Sequence, residues 1–189
     1  MLYINREHAG KVWFVLVLVC AARWSAAADV ARVRSTDASL NTVIKEGSAR
    51  SSTFRAIVAR IDQSDGIVYV EYGYCAFGHL DGCLLPSIVS NTRERYLRIV
   101  VSKDRNRVAH DQTIALIAHE LQHAVEVLEH PEVVDLETMT ALYRRIGVPL
   151  AGRAGYETAA ASAVGRKVLA ELSAKTQSIH PPPTTVSPS

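Results

Sequence analysis

From His110 to His130 the chain contains neither glycine nor proline, and its apolar residues Ile114, Ile117, Leu121, Val125 and Leu128 recur at helical intervals. Good helix formers with one apolar stripe make an amphipathic helix that must bury that stripe in a core. The same stretch carries His119-Glu120-Leu121-Gln122-His123. Residues four apart on an α-helix lie one turn above each other. His119 and His123 therefore share a face, and the apolar stripe points away from them. Two imidazoles so placed can close on one Zn²⁺ from the same side. Glu120 lies about 100° round the helix, beside the ion and not on it, where it can take a proton from a water held there. The plainer use of the pair is as two satisfied surface or core histidines.

Catalytic zinc takes three protein ligands and keeps one position for water. Glu126 falls on the histidine face but a turn beyond His123, and a straight helix cannot bend it back to the ion. His130, Asp135 and Glu137 lie too far on or in the next turn region. No glycine breaks the helix after His123, so the metzincin pattern, with its third histidine, is absent. Glu157 is the better third ligand. Read as a helix, residues 155–172 place Glu157, Ala160, Ala161, Val164 and Val168 on one stripe. A carboxylate heading an apolar face is costly to bury unless a cation or hydrogen bonds compensate it. A zinc ion would do so; a half-exposed place at a helix N-terminus, favoured by the dipole, is the other reading.

The HExxH helix, followed by a short helical insert and a second helix with a lone glutamate, resembles the zincin metallopeptidases of the gluzincin type. The resemblance covers roughly Ile67 to Leu172, and its specific part is the HExxH. It implies a zincin-like fold, zinc held by His119, His123 and Glu157, Glu120 as catalytic base, and a peptide or protein substrate. The second motif departs from the best-known gluzincin pattern by having Ala161 where an aspartate often follows four residues on. More narrowly, the chain resembles small secreted bacterial proteins with an HELQHA-type helix. In zincins a strand beside the active-site helix commonly pairs with an extended substrate; by resemblance, residues 95–102 or 67–74 are the expected strand.

The first 28 residues read as an export signal. Arg6 and Lys11 precede the apolar run Val12–Ala22, and Ser25-Ala-Ala-Ala28 offers a small-residue cleavage site before Asp29. Eleven apolar residues fall short of the roughly 20 a membrane-spanning helix needs. An uncleaved anchor extended through Arg23 and Trp24 is the lesser alternative. Cys20 makes a poor lipoprotein site because Val19 precedes it. Cleavage removes three basic residues and one acidic, leaving 18 of each. With no basic field, nucleic acid and anionic lipid are excluded as partners, and no stable membrane association is expected after cleavage. The expected location is secreted or periplasmic. Cys75 and Cys83 then remain, flanking a loop with Gly78 and Gly82, and an oxidising compartment would preserve a disulfide between them. A Cys/His metal knuckle using His79 and Asp81 fits poorly in spacing and ligand count.

The 189 residues suffice for one modest core. Helices are predicted over 37–46, stopped by Gly47, over 51–61 with a Ser/Thr N-cap, and over 135–146 between Asp135 and Gly147. Strands are predicted over 67–74 and 95–102. The expected fold is α+β, a small antiparallel sheet packed on the HExxH helix and further helices. The domain spans 29–178, and the Pro-rich tail 179–189 cannot bury anything and is expected to be disordered. For the oxyanion of an amide hydrolysis, Tyr143 and Tyr156 are the available donors. The leading function is a zinc-dependent peptidase. A non-catalytic zinc-binding or interaction module and a hydrolase of a non-peptide amide are the alternatives.

Overall fold

In the computed structural model of the chain, residues 31–75, 80–102, 110–151 and 155–179 are described. The expected export signal 1–28 and, apart from Ile179, the expected tail 179–189 lie outside them. A two-residue strand, β1 (Val33–Arg34), leads into α1 (Ala38–Arg50), whose first amides are capped by Asp37. Gly47 does not stop this helix. A Cβ there would lie 2.8 Å from Phe54 and 2.9 Å from Ile114, so the glycine lets α1 pack against its neighbours and the helix runs on to Arg50. Ser51 ends α1 and caps α2 (Ser52–Asp62), accepting from the Phe54 amide.

Strand β2 (Gly66–Tyr72) follows, then β3 (Gly82–Leu84), β4 (Val89–Ser90) and β5 (Arg95–Val101). The sheet order is β1-β2-β5-β3, with β4 also on β5. β2 pairs in parallel with both β1 and β5, while β3 and β4 run antiparallel to β5. The wholly antiparallel sheet is thus corrected to a mixed one. Alternation of apolar residues reports which face is buried, not strand direction. The long segment 73–94 gives the chain room to return to the start of the sheet, and lays an antiparallel strand along the outside of β5 on the way.

Val68, Val70, Leu97, Ile99 and Val101 point into the core, each at most 1% exposed. Against them packs α3 (His110–Leu128), with Ile114, Ile117, Leu121, Val125 and Leu128 buried as the stripe predicted. Each such side chain contributes about 1.5–3 kcal/mol by leaving water. Phe54, Ile57 and Ile61 of α2 join the same core. Next come α4 (Leu136–Ile146), with a capping box between Asp135 and Thr138, and β6 (Val148–Pro149), paired antiparallel with β7 (Tyr156–Glu157). Last is α5 (Ala159–Ile179), which lays Ala161, Val168 and Leu172 on the core. Among the described residues the architecture is α+β: five helices with small sheets.

The C-terminus of α3 is fixed by a residue from the sheet. Arg95, 3% exposed, donates through Nη1 to the carbonyls of Val127 (3.1 Å), His130 (2.8 Å) and Val133 (3.0 Å), and through Nη2 to that of Leu128 (2.8 Å). Its outer edge binds Asp65 at 2.7 and 2.8 Å. The last carbonyls of a helix have no partner within it and carry partial negative charge, and one buried guanidinium answers both needs.

Candidate metal centre

On α3, His119 and His123 project from one face, their ring centroids 5.0 Å apart. Glu157 reaches them from β7: its Oε2 lies 3.3 Å from His119 Nε2 and its Oε1 3.9 Å from His123 Nε2. One ligand atom from each of the three lies within 4.8 Å of the other two, a grouping that could hold a metal ion. The residue expected from sequence is thus the one brought in, but from a different element. Glu157 sits on β7, and α5 begins only after Thr158. The Thr158 hydroxyl accepts from the Ala161 amide at 3.1 Å, as an N-cap does.

Each histidine is braced on its far side. His123 Nδ1 donates to Glu126 Oε2 at 3.0 Å, since a carboxylate can only accept. The other oxygen of Glu126 accepts from the Thr158 hydroxyl at 2.6 Å. This hydrogen bond fixes the tautomer and turns the Nε2 lone pair toward Glu157. The backbone of Ala161 hydrogen bonds to His119. Tyr143, from α4, donates its hydroxyl to the His123 carbonyl at 3.0 Å, and Tyr156 stacks on its ring. Tyr143 is thereby engaged in holding α3.

Burial, with the neighbouring His123 charge, lowers the pKa of His119, which favours the neutral imidazole a metal requires. Burial also pulls on His123, but its bond to Glu126 and the charges of Glu120, Glu126 and Glu157 outweigh it and raise that residue. Glu120 is 4% exposed, and burial pushes its carboxyl up to about 7, against the lowering pull of His123 and of the Leu84 amide. It stands outside the ligand group, as expected.

Sequence reasoning set Glu126 aside because it cannot reach the ion, and the structure agrees. What it missed is the task Glu126 performs at three residues' remove from His123. The signal was there: an acidic residue on the histidine face, one turn on. Cys75 and Cys83 form the expected disulfide, which rules them out as metal ligands; His79 lies outside the described residues. Residues 95–102 and 67–74 hold β5 and β2. β5 lies between β2 and the short strands β3 and β4, whereas β1 pairs with β2 only at Val68 and Tyr69. Among the described residues, β3 is paired on one side only.

Among the described residues, no helix is long and apolar enough to cross a membrane. No protein-family model matches the chain, no curated protein matches it, and no solved structure matches it.

Proposed function

We propose that this protein is a zinc-dependent peptidase, secreted or periplasmic, in which His119, His123 and Glu157 hold the metal and Glu120 is the general base. The observation that carries the reading is the pairing of a three-ligand grouping with a buried carboxylate next to it that is not a ligand. Two imidazoles and one carboxylate suit zinc, with a fourth position left for water. Tetrahedral bonds of about 2.0–2.1 Å place ligand atoms roughly 3.3–3.5 Å apart; here Glu157 lies 3.3 Å from His119 through Oε2 and 3.9 Å from His123 through Oε1, and the three ligand atoms spread over up to 4.8 Å, so binding would draw the side chains together. Bound zinc supplies Lewis acidity toward a carbonyl oxygen and makes a water more acidic.

The chain's own residues do the rest. Glu120 holds a proton between the attacking water and the departing amine. Glu126 and Ala161 aim the two imidazoles, and Thr158 keeps Glu126 in place. The edge of β3, paired on one side only among the described residues, can pair with an extended peptide. A purely structural zinc site has no use for Glu120. The disulfide and the leader 1–28 both suit an oxidising compartment outside the cytoplasm.

The test is a peptide-library digest by zinc-loaded protein with a chelator control, repeated with Glu120→Gln. The variant should keep its fold and zinc and lose about 10²–10⁴ in rate. If fully loaded wild type cleaves no member of a broad library, the peptidase reading fails and a zinc-binding module takes its place. Cleavage of non-peptide amides alone would move the same machinery to a different substrate class.

A further inference from the structure

We propose that Val148 sets the substrate preference of the candidate metal site: it forms an apolar wall beside the metal position and meets an aliphatic side chain of the peptide bound there. That a peptide is bound there rests on the peptidase reading above; where Val148 stands rests on the fold alone.

Val148 is directly opposite Glu157 in the antiparallel pair of β6 and β7. Side chains of such partners project to the same face, their Cβ atoms about 4.5–5.5 Å apart. Glu157 turns its carboxylate to His119 and His123, so Val148 stands on the side of the ribbon that faces the grouping. Glu157 is also the most open of the three candidate ligands, its side chain 34% exposed against 20% for His119 and 8% for His123. A molecule that reaches the metal position from solvent therefore passes Glu157 and the valine beside it.

Val148 itself is 69% exposed. Of the large apolar residues exposed among those described, it is the one paired with a candidate ligand. A single exposed apolar residue is ordinary, and strand preference explains a β-branched residue here. It does not explain an apolar one, because threonine has nearly the same shape and a similar preference and leaves less apolar surface in water. The backbone that carries the valine is also stiff. Gly147 lets β6 lie close against β7, since a Cβ there would stand 2.9 Å from the Tyr143 carbonyl oxygen and 3.0 Å from the Tyr156 Cβ. On the other side Pro149 fixes its own φ. A side chain held this way is a preformed apolar surface that loses little freedom when a ligand covers it.

The experiment measures, by calorimetry, the binding of acetohydroxamate and isocaprohydroxamate to zinc-loaded wild type, Val148→Thr and Val148→Phe. The two probes share a metal-chelating group and differ in a branched aliphatic tail, so their ratio reads the apolar wall without any turnover. Wild type should bind the branched probe about 10-fold more tightly. Val148→Thr should cut that preference to about 3-fold or less, and Val148→Phe should raise it. Zinc content and acetohydroxamate affinity should stay unchanged in both variants. Substitutions in opposite directions keep the test decisive if one of them fails to fold. A preference absent from wild type, or equal in all the proteins, overturns the proposal. Failure of acetohydroxamate to bind removes the open zinc position, and both readings fall with it. In a peptide-library digest the cleaved bonds should lie beside aliphatic residues, and cleavage sites without that enrichment overturn the proposal as well. If wild type shows the expected preference between the probes yet cleaves nothing, the peptidase reading fails while Val148 keeps its place beside the metal.

Discussion

Arg95→Met removes the buried cation that ends α3, the helix carrying the candidate metal site, and leaves its methylene stem roughly in place. Four carbonyls lose this donor; those of Val127 and His130 keep the amides of His130 and Val133, so the unsatisfied ones are those of Leu128 and Val133. An unsatisfied buried acceptor costs about 1–3 kcal/mol, and the lower end applies where the helix end can open to water. The lost favourable charge at the helix C-terminus adds about 0.3–1 kcal/mol. Asp65 adds little, because its side chain is 42% exposed and rehydrates once freed. The loss comes to about 3 kcal/mol, a large part of the roughly 5–15 kcal/mol that holds a domain together. At about 2–4 °C per kcal/mol for a chain of this size, thermal unfolding followed by circular dichroism should move down by about 6–12 °C. Arg95→Lys should recover only part of this, since a lysine lacks the planar fork that reaches several acceptors together. A fall below about 1 kcal/mol in urea unfolding would refute the claim that Arg95 caps α3.

Glu126→Gln should weaken zinc binding about 10–100-fold, measured by competition with a chromogenic chelator, because it removes the carboxylate that orients His123; unchanged affinity would show the hydrogen bond to be incidental. Tyr143→Phe should cost about 1 kcal/mol in stability and leave kcat within a fewfold of wild type, since the hydroxyl already serves the His123 carbonyl; a loss of 100-fold or more would mark it as the oxyanion donor instead. Burial alone would raise the Glu171 carboxyl, but hydrogen bonds from Ser51, Thr53 and Ser52 outweigh it and bring it from 4.5 to about 2. A carboxyl depressed in the folded state stabilises fully above its unfolded value and loses that contribution as pH falls through its folded one. Urea titrations of wild type should therefore show a stability loss of about 1–2 kcal/mol, after solvent screening, between about pH 5 and pH 2, and Glu171→Gln should flatten it.

The parts of the site that were legible beforehand are those whose geometry is local. His119, Glu120 and His123 lie within five consecutive residues, and the period of a helix places them without any knowledge of the fold. The ends of α2 and α4 were legible for the same reason, since Ser51, Asp135 and Gly147 act on residues next to them. Gly47 was misread because glycine serves two purposes, stopping a helix or letting another element approach it, and only the positions of Phe54 and Ile114 decide between them. β3 and β4 were missed because three-residue and two-residue strands have too few positions to show alternation. Arg95 gave no sign of its task, since its partners lie more than 30 residues away in the chain.

Glu157 falls between these cases, and its neighbour explains why. The apolar stripe through Ala161, Val164 and Val168 suggests a helix, and the carboxylate looks like that helix's first member. Thr158 decides otherwise. Its hydroxyl accepts from the Ala161 amide, which starts the helix after it, and donates to Glu126. Its own amide donates to Glu157 Oε1 at 2.9 Å. One residue thus ends β7, begins α5 and joins Glu157 to the carboxylate that orients His123. A helix running through Glu157 would leave Thr158 without its capping role and would turn the glutamate with the helix's own rotation. Placing it one residue ahead of the cap lets β6, through Val148 opposite Glu157, set the direction of the carboxylate instead. The placement of Glu157 therefore depends on strand pairing and a helix cap acting together, which is why its candidacy could be read from chemistry while its position could not.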